Sequence, residues 1–456
     1  MAQLCGSRSQ GALRVIAVVA CVLFGPPAAG APYYNYPGAI HIHTVYSDGS
    51  GTFQEVAETA EATQLAYIIT TDHNTLEPIR DGHQRYWGRV LVLVGTEIST
   101  DAGHYLALDL PGSFEWGTRD AQQVIDRVNA AGGFGVLAHP VSERWPWTDW
   151  SVTSIAGLEI INLASLMDAD LRAVTQMNLP GRSLRRLAGL AQRYLTNPDA
   201  VMASFANNTV DRERTQWDAL LREGRQYIGT AGVDAHARIP VAGTVYRVPT
   251  YREAFETVQT YAVALEPLRG DAESDRREIY RAYRNGRLYM VYPRVAPAPE
   301  FRFVAEEAGR VATMGQPITL ADRVRLTVEA PDHSHPIIRL LRNGTEVASA
   351  EEARLEWDAT QPGVYRVEVY AGVGAGRLFD IRRGLRLPRV EELLRSRRQE
   401  LQPWIMSNPI YVRGTGTSAQ GEDPVFPAIG TVRRASRIDP HYAALEAAGI
   451  CCCMLP

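Results

Sequence analysis

The chain has 456 residues, 45% of them hydrophobic and 21% charged, with a formal net charge of -4. Ordinary globular composition at this length supports two or three domains, and so small a net charge excludes the strongly basic footprint of a nucleic-acid binder. The cysteines sit only near the ends, Cys5 and Cys21 at the start and Cys451, Cys452 and Cys453 at the finish, so no disulfide framework staples the body and the fold must stand on its core.

Arg8 and Arg14 introduce an apolar run from Val15 to Phe24, and Gly25 to Ala31 is a stretch of small residues and proline. That order is expected of a secretory signal over residues 1–31, cleaved near Gly30 or Ala31. The run is too short to anchor in a bilayer. The expected destination is the periplasm or the extracellular space, with no transmembrane segment after signal removal. A lipoprotein anchored through Cys21, in Val18-Val19-Ala20-Cys21, is the rival reading.

Next comes a short apolar strand running into His41-Ile42-His43, followed by Ser47-Asp48-Gly49. Side chains alternate faces along a strand, so His41 and His43 are expected to point the same way and share one ion, with turn residues swinging Asp48 over the strand end as a hard ligand. From here to about Val241, apolar runs alternate with helix-like segments such as Thr52 to Thr63 and Ala121 to Ala131, and each run ends in a potential ligand. Ala66 to Thr70 leads to Thr71-Asp72-His73; Val90 to Val94 leads to Glu97. His104 opens the run to Asp109, Gly133 to Ala138 ends at His139, Gly157-Leu158 meets Glu159, and Tyr227 to Val233 ends at Asp234-Ala235-His236. Alternating strands and helices imply parallel units, and ligands at strand C-terminal ends describe the functional rim of an α/β barrel.

With His41-x-His43-Thr44, Asp72-His73, Glu97, His104, Ala138-His139-Pro140 and Asp234-x-His236 in this order, the stretch from Ala39 to Val241 resembles the PHP family, the polymerase and histidinol phosphatase domain. The resemblance implies a distorted (β/α)7 barrel with two or three divalent metal ions, Zn, Mn or Fe. By position it implies ligand sets His41, His43, Glu97 and Asp234; Glu97, His104 and His139; and Asp48, His73 and His236. In this scheme Glu97 bridges two ions that hold a hydroxide as nucleophile, while Asp72 and Asn162 orient imidazoles from behind. The barrel is expected over residues 36–295, with residues 163–225 as a helical insertion or cap beside the rim. His83 could reach the mouth, and Arg182, Arg185 and Arg186 could meet a substrate anion from the cap.

Tyr251 to Thr260 and Asp275 to Asn285 read as helices and Arg287 to Val291 as a strand, completing the barrel before a Pro-rich linker. From Glu300 the pattern turns to period two, with a hairpin at Asn343-Gly344, so residues 300–413 are expected to form a small β-sandwich. Pro403 to Tyr411 resembles the C-terminal module of exported PHP proteins of the carbaryl-hydrolase-like branch. Val390 to Glu400 is helix-like, His333 and His335 repeat a His-x-His without a carboxylate cluster, and residues 414–456 read as a tail. The expected function is a metal-dependent hydrolase of a small-molecule phosphoester. The alternatives are a carboxylic or carbamate ester hydrolase using the same metals, and a non-catalytic metal-binding protein.

Overall fold

The computed structural model describes residues 33–175, 180–205, 210–241, 243–332, 335–372 and 401–415. The signal, the helix-like stretch from Val390 to Glu400, most of the tail, His333 and the side chains of Arg182, Arg185 and Arg186 lie outside the described residues.

The chain first lays down β1 (Tyr34–Ile42), β2 (Tyr67–Thr70), β3 (Arg85–Trp87), β4 (Val90–Val94), β5 (Thr96–Ser99), β6 (His104–Leu108), β7 (Phe134–Leu137), β8 (Gly157–Asn162) and β9 (Ile228–Ala235). Strands β1, β2 and β4 pair in parallel; β4 runs through Gly95 into β5, and β7, β8, β9 and β1 pair in parallel again. The ring therefore closes, but not as an all-parallel barrel: β6 is antiparallel to both β5 and β7, and β3 and β12 add antiparallel partners to β4 and β1. The Thr100–Gly103 turn between β5 and β6 is far too short for a parallel crossover, which needs a dozen or more residues.

Amphipathic helices cover the ring. Phe53–Ala62 buries Phe53, Val56, Ala57 and Ala60, and Thr52 caps it through a reciprocal capping box with Glu55. Ala121–Ala130 buries Val124, Ile125 and Val128 on one stripe. After β8, helices Leu163–Thr175, Pro180–Thr196, Pro198–Phe205 and Asp211–Arg222 fill the long crossover to β9. The last of these is a barrel helix: Trp217 is fully buried and donates from Nε1 to the Tyr227 carbonyl at 2.9 Å.

A hairpin of β10 (Ile239–Val241) and β11 (Thr244–Tyr246) follows, then β12 (Gln259–Ala264) and β13 (Leu288–Val291). The helix expected from Tyr251 to Thr260 stops at Phe255, because the apolar run that follows is claimed by β12 pairing with β1 and β13. Beyond the linker come β14 (Arg302–Glu307), β15 (Arg310–Thr313), β16 (Pro317–Leu320), β17 (Val324–Glu329), β18 (Pro336–Arg342), β19 (Thr345–Ala350), β20 (Arg354–Ala359), β21 (Gly363–Gly372), β22 (Leu401–Ser407) and β23 (Ile410–Gly414). The β18–β19 turn sits at Asn343 and Gly344, both in the left-handed region that a two-residue hairpin demands.

Strands β15, β14, β17 and β20 make one antiparallel sheet. The others join the barrel's own sheet, because β22 pairs with β13, and through β12 the ladder reaches β1. Phe303, Leu326 and Leu355 of the four-stranded layer share a core with Leu340, Val367 and Trp404 and with Tyr261 and Tyr289. Hydrogen-bonded layers thus run across the linker at residue 300.

Candidate metal centre

Nine side chains meet where the barrel strands end: His41, His43, Asp48, His73, Glu97, His104, His139, Asp234 and His236. Glu97 is at the centre. Its Oε2 lies 3.0 Å from His41 Nε2, 3.2 Å from His43 Nε2 and 3.3 Å from His73 Nδ1, while its Oε1 lies 2.8 Å from His104 Nδ1 and 3.3 Å from His139 Nε2. Each oxygen faces its own set of imidazoles. Asp234 Oδ1 is 3.5 Å from a nitrogen of each of His41, His43 and His236, and Asp48 Oδ1 is 3.2 Å from His236 Nε2 and 3.9 Å from His73 Nε2. The ligand sets expected from the sequence overlap in space: His43 also approaches Asp48, and His73 also approaches Glu97.

The backbone reaches this arrangement by breaking regular structure. Neighbouring strands pair with Ile40 and Ile42 and skip His41, which bulges out at a φ of 69°. The two histidines therefore do not converge through simple strand alternation: one is in the bulge, and His43 lies past the strand end. His139 and Asp234 also hold positive φ, at 31° and 45°. Such conformations cost about 1–3 kcal/mol each and persist where surrounding structure over-determines them.

Three imidazoles have their tautomer fixed by an acceptor. His41 Nδ1 donates to Glu159 Oε1 at 2.8 Å, His139 Nδ1 to the Trp145 carbonyl at 3.2 Å, and His236 Nδ1 to the Asp234 carbonyl at 3.2 Å. Each then turns its Nε2 toward the carboxylates, the usual support for a histidine that ligates a metal once that nitrogen is free of its proton. Both ring nitrogens of His43, and Nδ1 of His73 and His104, are buried and make no hydrogen bond even where a Glu97 oxygen is close. Buried nitrogens without a proton partner are costly. Imidazole and carboxylate donors in this number suit Zn, Mn or Fe, so the residues present fit divalent ions.

Glu159, expected from the sequence as a potential ligand closing a short run, lies inside β8 and belongs to none of the candidate ligand groups. It supports two ligands, accepting from His41 Nδ1 and from the His139 amide at 2.8 Å. Gly232 opposite is obligatory, since a Cβ there would sit 1.7 Å from Glu159 Oε1. Asp72 does not orient an imidazole: its oxygens accept from the Thr44 amide, Thr44 Oγ1 and Ser47 Oγ, each at 2.7 Å, which locks the turn carrying Asp48. Asn162 also holds carboxylates instead of imidazoles, donating to Glu159 at 2.9 Å and Asp234 at 3.3 Å. The Tyr251 hydroxyl, which no motif signalled, donates to the His43 carbonyl at 2.8 Å and accepts from the Gly51 amide. His83 is stacked on Phe53 at 4.3 Å and bonded to the Tyr46 hydroxyl.

Charge is concentrated here. Burial opposes ionisation throughout, yet the Asp234, Glu159 and Glu97 carboxylates hold the His41 pKa well above 6.5. His43 is likewise raised to about 9, against burial and the neighbouring His236, by the Asp234 and Glu97 carboxylates beside it. Burial lowers His73 to about 3. Against their own desolvation, Glu97 is depressed by His41, His104 and His73, and Asp48 and Asp234 by the imidazoles beside them. Protons on His41 and His43 thus occupy the role that a cation would fill.

A mixed α/β fold whose barrel strands end in a cluster of histidines and carboxylates able to bind metal defines the general class of this protein. No family model matches the sequence, and no curated protein does. Among solved structures, the chain is similar to a two-domain protein from Bacteroides vulgatus described as containing a predicted PHP-like metal-dependent phosphoesterase, at 15% identity, covering 74% of this chain and 90% of that one with a TM-score of 0.35. It is also similar to an amidohydrolase from Chromobacterium violaceum with bound sulfate and no metal, at 14% identity over 47% and 92% of the two chains, TM-score 0.26. A protein from Bifidobacterium adolescentis provisionally described as a metal-dependent phosphoesterase aligns at 16% identity over 48% and 94%, TM-score 0.25. At such identities the cluster's own geometry is the firmer guide to chemistry.

Proposed function

We propose that the protein is an exported metal-dependent phosphoesterase of the PHP type, its nine clustered side chains holding two to three divalent ions. The observation that carries this is the convergence of unbonded, buried nitrogens of His43, His73 and His104 on Glu97, whose two oxygens face different imidazoles. Ions bound there would supply Lewis acidity and an activated water at neutral pH. The chain supplies the rest. Glu97 divides its oxygens between two ligand sets; Glu159 and the Trp145 and Asp234 carbonyls keep imidazole Nε2 atoms aimed inward; and Asp72 fixes the turn that presents Asp48. His73 and His104 are the most exposed ligands, at 25% and 15%, so an ester approaches from their side. Export rests on the order of the first thirty-one residues; among the described residues no helix is long and apolar enough to cross a membrane.

The test is elemental analysis of reconstituted protein, followed by turnover of a phosphate-ester and carboxyl-ester panel before and after chelation. Two or more ions per chain and chelator-sensitive phosphoester hydrolysis are expected. Fewer than one ion, or turnover that survives chelation, would overturn the proposal.

A further inference from the structure

Arg238 lies two residues beyond His236, half-buried at the rim. Its Nη1 donates to the backbone carbonyl of Asp48 at 3.3 Å, and among the described residues no carboxylate pairs with it. The contrast with Arg247, at the other foot of the β10–β11 hairpin, is informative. Arg247 pairs with Glu55 and also donates to the Ser50 carbonyl at 2.9 Å. The Asp48 turn and the His236 loop are already laced together by the Ser50 amide donating to the His236 carbonyl and by Ser50 Oγ donating to the Ala237 carbonyl. Arg238 is not needed for that joint. The nearby acids Asp48, Asp234 and Asp72 already serve imidazoles, Asn162 or the Thr44 turn.

A guanidinium carries five donors in a planar fork suited to carboxylate or phosphate, and only one Arg238 bond is accounted for. At this partial burial the remaining donors face water or an incoming anion, and no protein carboxylate among the described residues competes for them. The anchoring carbonyl belongs to Asp48, whose carboxylate shares a candidate ion position with His43, His73 and His236. We infer that Arg238 is a specificity-determining residue that binds a non-bridging oxygen of the substrate's phosphoryl group beside that ion position, selecting dianionic phosphomonoesters over neutral esters. This rests on the phosphoesterase reading above. Arg238 takes no proton and forms no bond; it holds the anion in place.

The experiment compares metal-reconstituted wild type, Arg238→Gln and Arg238→Lys. It reads p-nitrophenyl phosphate and p-nitrophenyl acetate kinetics, inorganic phosphate affinity by calorimetry, and metal content. Losing hydrogen bonds to a charged group weakens binding by about 10–100-fold. Arg238→Gln should therefore raise both KM for the phosphomonoester and Kd for phosphate by about that factor, with metal content and any acetate turnover unchanged; Arg238→Lys, which keeps charge but loses the fork, should fall between. Unchanged KM and Kd at full metal content would overturn the inference. So would metal loss in Arg238→Gln, which would make Arg238 a support for Asp48. Should Arg238→Gln fail to fold, the Arg238→Lys constants decide by the same criterion. Arg238-dependent phosphate binding in a wild type that hydrolyses no phosphomonoester would keep the anion site while removing the phosphoesterase reading.

Discussion

Removing Glu97 and removing Asp48 should have different consequences. Glu97 touches five imidazoles through both oxygens, so Glu97→Ala is expected to release two ions and abolish turnover. Asp48 faces His43, His73 and His236 through one oxygen, so Asp48→Ala should loosen one ion and slow the reaction by about 10²–10³. Metal content and kcat for both variants, with circular dichroism as a folding control, separate the two; equal losses would refute the division of labour. Protonation offers a second check at this scale. His41 and His43 carry raised pKa values, His43 about 9, so in metal-free protein both are protonated at pH 7 and must lose their protons to ligate. Metal binding at pH 7 should release protons into an indicator dye, and affinity should climb toward pH 9. For metal-free protein the sign is set by the raised values: this stabilisation is fully present below pH 6.5 and is lost as pH rises through about 9. Chelated protein should therefore melt at lower temperature as pH rises from 7 to 10, and a flat profile without proton release would contradict the arrangement.

At the scale of elements, most of what could be read from the sequence came from strand ends. Apolar runs stopping at His73, Glu97, His139 and Asp234 marked the rim because a parallel strand buried on both faces reads as a continuous hydrophobic run with its functional residue just past it. The same signal could not show β6 running backwards, since periodicity carries no direction; only the shortness of the Thr100–Gly103 turn encoded it. Nor could it show the His41 bulge, because a left-handed residue inside a strand leaves no compositional trace unless it is glycine or asparagine. Supporting residues were hardest. Glu159 and Tyr251 act on ligands 118 and 208 positions away, and such pairings exist only once the barrel has closed, while the Trp145 carbonyl, six positions from His139, is a backbone acceptor with no side-chain signal.

At the scale of the whole molecule, a buried charge cluster ties the crossover between β8 and β9 to the C-terminal strands. Arg366 is 1% exposed, donates from Nε and Nη2 to Asp218 at 2.8 and 2.7 Å, and donates from Nη1 to Glu368 at 2.6 Å; Arg214 reaches Glu368 as well. Breaking such a cluster costs more than replacing it. Asp218→Ala leaves Arg366 short of one buried partner and should destabilise the protein by about 3–5 kcal/mol, whereas the double change Asp218→Leu with Arg366→Met should recover much of that loss. Denaturant unfolding of the three proteins reads the difference. Metal content should stay unchanged in each, as the cluster shares no residue with the metal centre.

Asn408 links the two halves of the sheet at one point. Its side chain accepts from the Gly229 amide and donates to the Gly229 carbonyl, both at 2.8 Å, and it also donates to the Leu288 carbonyl at 3.1 Å. Gly229 lies in β9, the strand that ends at Asp234 and Ala235. Translation proceeds from the N-terminus, so every proposed metal ligand has left the ribosome well before Asn408 exists. In the interval β9 and β13 have polar backbone groups that only the last-made described segment can satisfy, and open strand edges invite pairing with other chains. Messages cut short between codon 236 and codon 408 would thus encode all nine ligands yet yield a barrel with an unfinished seam.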